Sequence, residues 1–259
     1  MIAQDTQYTG PAAPAAPAAQ ASWRIAPSGD RCLIVEFGTV ADIAINRQAC
    51  AAAVRIAAAA LPGVTDIVPA LTTVGVHYQP IAVARATGTS APFEALSAMI
   101  GELLREGLSL NAGAPLVIDI PVCYGGEHGP DLDDVAATCG LSPEQVIALH
   151  GAEPVDVLML GFAPGHPYVG RFDARLSPPR RSTPRTAVAA GSIGLANRQT
   201  VIYPMTLPGG WNLIGRTPVA LFDPHRASPC LLAAGDRVRF VPISSDVFES
   251  MLAGGGVQP

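Results

Sequence analysis

A chain of 259 residues with 49% hydrophobic content is long enough for one large or two ordinary domains around a sizeable core. A net charge of −5 and a pI near 5.5 argue against a broad nucleic-acid or anionic-membrane footprint, because phosphate binding needs clustered cations. All 16 basic residues are arginine, which excludes a Schiff-base lysine and a Walker-type phosphate lysine. Five cysteines (Cys32, Cys50, Cys123, Cys139 and Cys230) without C-x-x-C spacing suggest neither a disulfide framework nor a zinc knuckle, and the expected compartment is the cytosol.

In chain order, the first cation is Arg24 and no continuous apolar run precedes it, so the N-terminus does not read as a secretory signal. Residues 1–21, ending in PAAPAAPAAQA, read as a disordered Pro/Ala-rich tail. CLIVEF (Cys32 to Phe37) has strand composition, and the Ala-rich run from Ile43 to Leu61 reads as a helix stopped at Pro62-Gly63. Val64 to Pro69 and Thr73 to Tyr78 read as strands. Phe93, Leu96, Ile100, Leu103 and Leu104 fall on one helical face, and Leu116 to Ile120 is a final apolar run of strand length. The order β-α-β-β-α-β predicts a ferredoxin-like α+β sandwich over residues 22–112, with a boundary in Asn111 to Pro115.

Residues 113–246 read as a second domain that carries a helical pair at 131–150. Asp131 can cap the first helix and Gly140 can end it, and Ser142-Pro-Glu-Gln145 is a capping box opening a helix to His150. The pair has the outline of a helix-turn-helix, but its second helix offers Glu144, Gln145 and His150 and no arginine, which argues against DNA reading. From Val155 the chain alternates short strands and turns (DVLMLGF, TAVAAGSIGLA, QTVIYP, WNLIGRT, VALFD, RVRFVPI). So many short strands are expected to close into a small barrel, which removes exposed edges. Residues 247–259 are expected to be a flexible tail, and no apolar run approaches the length of a membrane span.

The candidate chemistry lies between Gly161 and Phe222, where glycine, proline, arginine and hydroxyl residues are densest. Arg185 and Arg216, each beside Thr and Pro, are the better candidates for clamping a carboxylate or phosphate, whereas Arg180 and Arg181 read as solvated surface charge. Gly191-Ser192 and Gly209-Gly210 could present backbone N–H groups that form an anion nest with the Ser192 and Thr217 hydroxyls; the same glycines would equally serve as barrel corners. Phe162, Tyr168, Gln199, Tyr203 and Trp211 suit a pocket wall, with core packing an equal reading for Tyr203. His166 could act as acid or base near neutral pH. No catalytic residue is assignable, since Ser192 lacks a G-x-S-x-G elbow and Glu127, Asp131, Asp173 and Asp223 form no assignable pair. His77, His150 and His225 lack the paired spacing of a metal site.

The motifs IPVCYGGEHGPDLDDVA, GFAPGHPYVG, TPRTAVAAGSIG and YPMTLPGGWNLIGRTPVALFDP, in this order, resemble the family of the 5-oxoprolinase B subunits, also called allophanate hydrolase subunit 1 or the Kip-type kinase inhibitor. The likeness runs from about Trp23 to Ile243. It implies a C-terminal cyclophilin-like barrel and a hydrolase component that opens 5-oxo-L-proline to L-glutamate with ATP and Mg²⁺. It also implies a homologous second partner (of the 5-oxoprolinase C type or allophanate hydrolase subunit 2 type), a third of the A type, and neither nucleic acid nor membrane as a partner. The family's other names imply an inhibitor of a sensor histidine kinase, or a carboxyltransferase-like component of urea metabolism, as alternatives. His166 and His128 stand where the family usually has an aromatic residue, which weakens any catalytic role for His166.

Overall fold

The computed structural model describes residues 22–108 and 117–254. The expected Pro/Ala tail, the boundary at Asn111 to Pro115 and the last five residues lie outside the described residues.

The N-terminal unit is a four-stranded antiparallel sheet. Its strands β1 (Arg24–Pro27), β2 (Cys32–Glu36), β3 (Val64–Pro69) and β4 (Thr73–Tyr78) lie in the order β1-β2-β4-β3. Alternation along β2 and β4 turns Leu33, Val35, Val74, Val76 and Tyr78 to one face. That face is covered by α1 (Ile43–Ala58), α2 (Pro80–Thr87) and α3 (Pro92–Arg105). Small residues Ala49, Ala52 and Ala53 on the buried side of α1 let the helix sit close to the sheet. The run expected to supply the last strand of this sheet does not join it. As β5 (Val117–Tyr124) it pairs with strands of the second unit, and β1, which the sequence reading missed, holds the edge beside β2.

The second unit carries the helical pair α4 (Leu132–Cys139) and α5 (Pro143–His150). Gly140 ends α4 in the left-handed region (φ 65°), and both halves of the expected capping box at Ser142 and Gln145 are formed. The strands that follow are β6 (Val155–Leu160), β7 (Pro167–Gly170), β8 (Arg185–Val188), β9 (Ser192–Ala196), β10 (Gln199–Ile202), β11 (Leu207–Gly209), β12 (Asn212–Arg216) and β13 (Arg237–Pro242). Seven strands close into a barrel in the order β10-β7-β6-β13-β5-β12-β9, while β8 and β11 form a separate two-stranded ribbon. The parallel β5 and β13 pair is the long-range closure; the other barrel pairs are antiparallel. VALFD, expected as a strand, forms only an isolated bridge between Phe222 and Cys230.

The lumen is filled, with Ile120, Val122, Val157, Val169, Ile193, Ile202, Val238 and Phe240 among its buried residues. At its centre is a polar chain: Tyr124 Oη meets His150 Nδ1 at 2.7 Å, and His150 Nε2 meets Thr200 Oγ1 at 2.9 Å. His150, the last residue of α5, thereby links β5 to β10 across the barrel, with its ring stacked 4.7 Å from Phe172. Burial holds its pKa at about 3, so the imidazole is neutral at physiological pH.

The expected flexible tail from residue 247 is corrected as far as 253. Ser244 caps α6 (Ser245–Ala253), accepting from Val247 N, and Phe248 is fully buried. A single large aromatic anchor is enough to dock so short a helix.

Candidate functional site

The aromatic residues expected to line a pocket converge on one outer face of the barrel. His166 stands at the centre, with ring centroids 5.4 Å from Phe162, 5.1 Å from Tyr168 and 5.3 Å from Tyr203. Tyr168 in turn meets Trp211 edge-on at 6.2 Å. The sequence builds this shelf from four places: the β6–β7 loop, β7 itself through Tyr168, the residue after β10, and the turn between β11 and β12. Gly165 (φ 73°) is required where the loop passes under Phe222, whose Cβ would lie 2.8 Å from an added side chain. Phe162 adopts a positive φ (73°) without being glycine and leaves its ring 64% exposed, a local strain of the kind found at recognition surfaces.

Two polar atoms inside the shelf have no protein partner among the described residues. They are His166 Nδ1 and Tyr203 Oη, each on a side chain only 1% exposed. Burial lowers the His166 pKa to about 4, so the expected acid or base near neutral pH is corrected: the ring is a neutral imidazole there. Burial raises the Tyr203 phenol to about 12, against the opposing charges of Arg180 and Arg185 and the nearby Trp211 backbone N–H, whose approach falls short of a well-formed hydrogen bond. Tyr203 is therefore both buried core and shelf wall, and Gly209 is glycine because a Cβ would fall 2.0 Å from Tyr203 Oη. A buried O–H beside two guanidinium groups is suited to an incoming acceptor oxygen.

The arginines are placed differently from expectation. Arg185 is not an open anion clamp, because its fork binds Asp131 in a bidentate pair at 2.8 and 2.9 Å. Arg181 adds a third bond at 3.0 Å and the Leu213 N–H a fourth at 2.7 Å. Asp131, 4% exposed, thus does not cap α4 with its side chain as expected; it ties the β8–β11 ribbon and β12 to the start of α4. Burial alone would raise its pKa, but the Arg185 hydrogen bonds, the Leu213 N–H and the two positive charges outweigh burial and lower it. Arg180 is not merely solvated either, since its guanidinium lies 4.5 Å over the Trp211 ring and extends the shelf with a cation.

The Gly191-Ser192 half of the expected nest has its backbone donors engaged. Gly191 N–H donates to Tyr203 O at 2.7 Å and Ser192 N–H to Ala189 O at 3.2 Å, while Gly210 contributes its carbonyl to Arg181 N at 2.9 Å. Gly191 is required for close packing, its Cβ position lying 2.2 Å from Thr217 O. Ser192 and Arg216 are cross-strand partners at the other end of β12, roughly 15 Å along the strand from Trp211. There Arg216 Nε donates to Ala190 O at 2.8 Å, its guanidinium lies 5.8 Å from the Phe248 ring, and it makes no ion pair among the described residues. Thr217 Oγ1 accepts from Val219 N. Gln199 lies elsewhere again, in the seam between the two units with Arg171 and Leu158.

Asp131, Arg180 and Arg181 are the site residues that sequence reasoning undervalued. The signal for Asp131 was present only as an acidic residue at a helix start, which local capping explained equally well.

Comparison with known proteins gives a consistent result. Residues 23–232 match the family model "Carboxyltransferase domain, subdomain C and D". The 5-oxoprolinase B subunit of Bacillus subtilis (strain 168) is 43% identical over 224 residues, which is 86% of this chain and 93% of that protein. The solved structure of TTHA0988 superposes with a TM-score of 0.70 at 38% identity, covering 83% of this chain. The present chain spans only 40% of that longer one. At 18% identity the urea amidolyase of K. lactis shares the fold, with a TM-score of 0.68 over 90% of this chain.

Proposed function

This chain belongs to the family of the 5-oxoprolinase B subunits, built on carboxyltransferase subdomains C and D, and on that footing we propose that it is one component of an ATP-dependent 5-oxoprolinase. In this reading it opens 5-oxo-L-proline to L-glutamate together with one partner of C type and one of A type. The observation that carries the reading is the likeness to the Bacillus subtilis protein over nearly its whole length.

The geometry supports a binding role for this chain within a shared site. A lactam carbonyl is a poor electrophile, and activating it as a phosphorylated imidate needs oriented donors and charge neutralisation more than a nucleophile. The shelf offers oriented donors, with Tyr203 Oη–H available to an acceptor oxygen and Arg180 and Trp211 beside it. His166, neutral at pH 7, suits a hydrogen bond to substrate rather than proton transfer.

ATP and Mg²⁺ do not find a ready site on these residues. The Gly191 and Ser192 N–H groups are already bonded, Arg185 is committed to Asp131, and among the described residues no group of three or more His, Cys, Asp or Glu could hold a metal ion. We therefore assign nucleotide and metal to the assembled complex.

The test is reconstitution. With the C-type and A-type partners present, 5-oxoproline-dependent ATP hydrolysis and glutamate formation are expected, and the isolated chain should give neither. Turnover by the isolated chain would overturn the shared site, and an inactive but properly assembled complex would overturn the assigned reaction.

A further inference from the structure

The aromatic shelf carries its charge at one end. Around Tyr203, three guanidinium groups meet one carboxylate: Arg181 and Arg185 both bind Asp131, while Arg180 makes no ion pair among the described residues. Arg180 is exposed, and its guanidinium rests 4.5 Å from the Trp211 ring centroid, so its fork keeps donors free at the rim of the shelf. The Tyr203 phenol feels the positive charges of Arg180 and Arg185, and no carboxylate is among the groups that act on it.

Deeper in the shelf the polar groups are neutral. Tyr203 Oη and His166 Nδ1 are buried without a protein partner, on side chains each 1% exposed, and their rings meet edge-on with centroids 5.3 Å apart. A buried polar atom left unbonded forfeits its hydration for no return, and two such atoms on touching rings point to a shared missing partner. An amide fits the pair. Its carbonyl accepts from the Tyr203 O–H, and the imidazole nitrogen meets its N–H or its carbonyl according to the tautomer. Phe162 lies edge-on against His166 with centroids 5.4 Å apart, at a positive φ of 73°. Its ring is 64% exposed, so it can move aside to admit a ligand at little packing cost, whereas Tyr203 and Trp211 are fixed in the core.

We infer that the shelf is a subsite for a small lactam acid, oriented with its carboxylate on Arg180, its amide on Tyr203 Oη and His166 Nδ1, and its ring among Phe162, Tyr168 and Trp211. The choice of a lactam ring rests on the 5-oxoprolinase reading; the orientation rests on the unpaired cation at one end and the neutral pair at the other.

Calorimetric titration of the full chain at low ionic strength tests the orientation with three probes. 5-Oxo-L-proline carries both groups, 2-pyrrolidinone only the amide, and cyclopentanecarboxylate only the carboxylate. 5-Oxo-L-proline is expected to bind with a Kd of about 1 mM, and each of the other two about tenfold more weakly. Arg180→Gln should weaken 5-oxo-L-proline and cyclopentanecarboxylate about tenfold and leave 2-pyrrolidinone unchanged. Tyr203→Phe and His166→Phe should each weaken 5-oxo-L-proline and 2-pyrrolidinone about three- to tenfold and leave cyclopentanecarboxylate unchanged. The melting temperature of Tyr203→Phe should stay near that of wild type, because Oη makes no hydrogen bond among the described residues. Arg24→Gln, on the first sheet, should alter none of the three affinities. No heat with 5-oxo-L-proline, or variants that weaken all three probes alike, would overturn the subsite. The titration needs neither partners nor ATP, so it fails separately from the assigned reaction. The crossed pattern with an inactive assembled complex would keep the subsite and sink the reaction. In an active complex Arg180→Gln and Tyr203→Phe should raise KM with kcat little changed, and an unaltered KM in both would sink the subsite alone.

Discussion

Removing the charge of Asp131 tests whether the Arg185 fork is architecture or ligand clamp. In Asp131→Asn, two bonds from Arg185, one from Arg181 and one from the Leu213 N–H lose their anionic acceptor together. Breaking a buried ion pair from one side costs about 3–5 kcal/mol, because the remaining charge stays desolvated. Here the Arg185 and Arg181 side chains keep 26% and 35% of their surface, so water recovers part of that loss and about 2–4 kcal/mol is expected. For a chain of this size that lowers Tm by about 5–15 °C in a calorimetric scan at pH 7.5. The pH dependence has a definite sign. Asp131 has its pKa lowered on folding, so its contribution is complete above the unfolded carboxylate value of about 4 and fades as pH falls below it. Wild type and variant should therefore converge in acid. Combined with Arg185→Gln, the loss should fall short of the sum of the single changes, by about 0.5–3 kcal/mol. A Tm shift under about 2 °C for Asp131→Asn, or single losses that add fully, would refute the structural knot and return Arg185 to the pool of ligand clamps.

Two further outcomes follow from the buried imidazole and the uncommitted guanidinium. The His150 pKa of about 3 lies below its unfolded value of about 6.5, so stability is complete above that value and is lost as pH falls toward 3. Moving from pH 8 to pH 5 should cost about 2 kcal/mol through this residue at 1.36 kcal/mol per unit, measured by urea unfolding, and His150→Gln should lower stability at pH 8 while flattening that slope; an unchanged slope would assign the dependence elsewhere. Arg216→Ala should reduce turnover of the assembled enzyme by about tenfold or more, a charge-assisted hydrogen bond's worth of ~1.5–3 kcal/mol, with little change in Tm because the one side-chain hydrogen bond it makes among the described residues is to Ala190 O. Full activity in that variant would show that Arg216 is not a substrate-anion clamp.

Local rules carried the elements well and the long-range partners poorly. Val64–Pro69 and Thr73–Tyr78 form strands over the expected bounds because alternation and the flanking turns act within a few residues. The same reasoning could not tell that Leu116 to Ile120 would leave its expected sheet. An apolar run carries no record of which sheet it joins, and the parallel pairing of β5 with β13 spans over a hundred residues. Phe248 shows a related limit. One buried aromatic in an otherwise exposed helix gives almost no periodic signal, yet it decides whether that helix docks.

The shelf was legible because aromatic rings gather wherever loops bring them together, and their type alone identifies them as wall material. The arginine roles were not, because a guanidinium is defined by the acceptor it meets. Arg185 and Arg216 both sit beside threonine and proline in the sequence. One meets a carboxylate 54 residues away, and the other meets a backbone carbonyl and the edge of α6. With 16 arginines, no lysine and 21 acidic residues, most forks in such a chain find an internal carboxylate. The informative arginines are then the exceptions. Seven arginines make no ion pair among the described residues, and of these Arg171, Arg180 and Arg216 stand respectively beside Ala41, over the Trp211 ring and beside α6. A fork held by a carbonyl or a ring rather than by a carboxylate, exposed at Arg171 and Arg180 and half-buried at Arg216, keeps donors free, and that is the state a recognition residue needs before its ligand arrives.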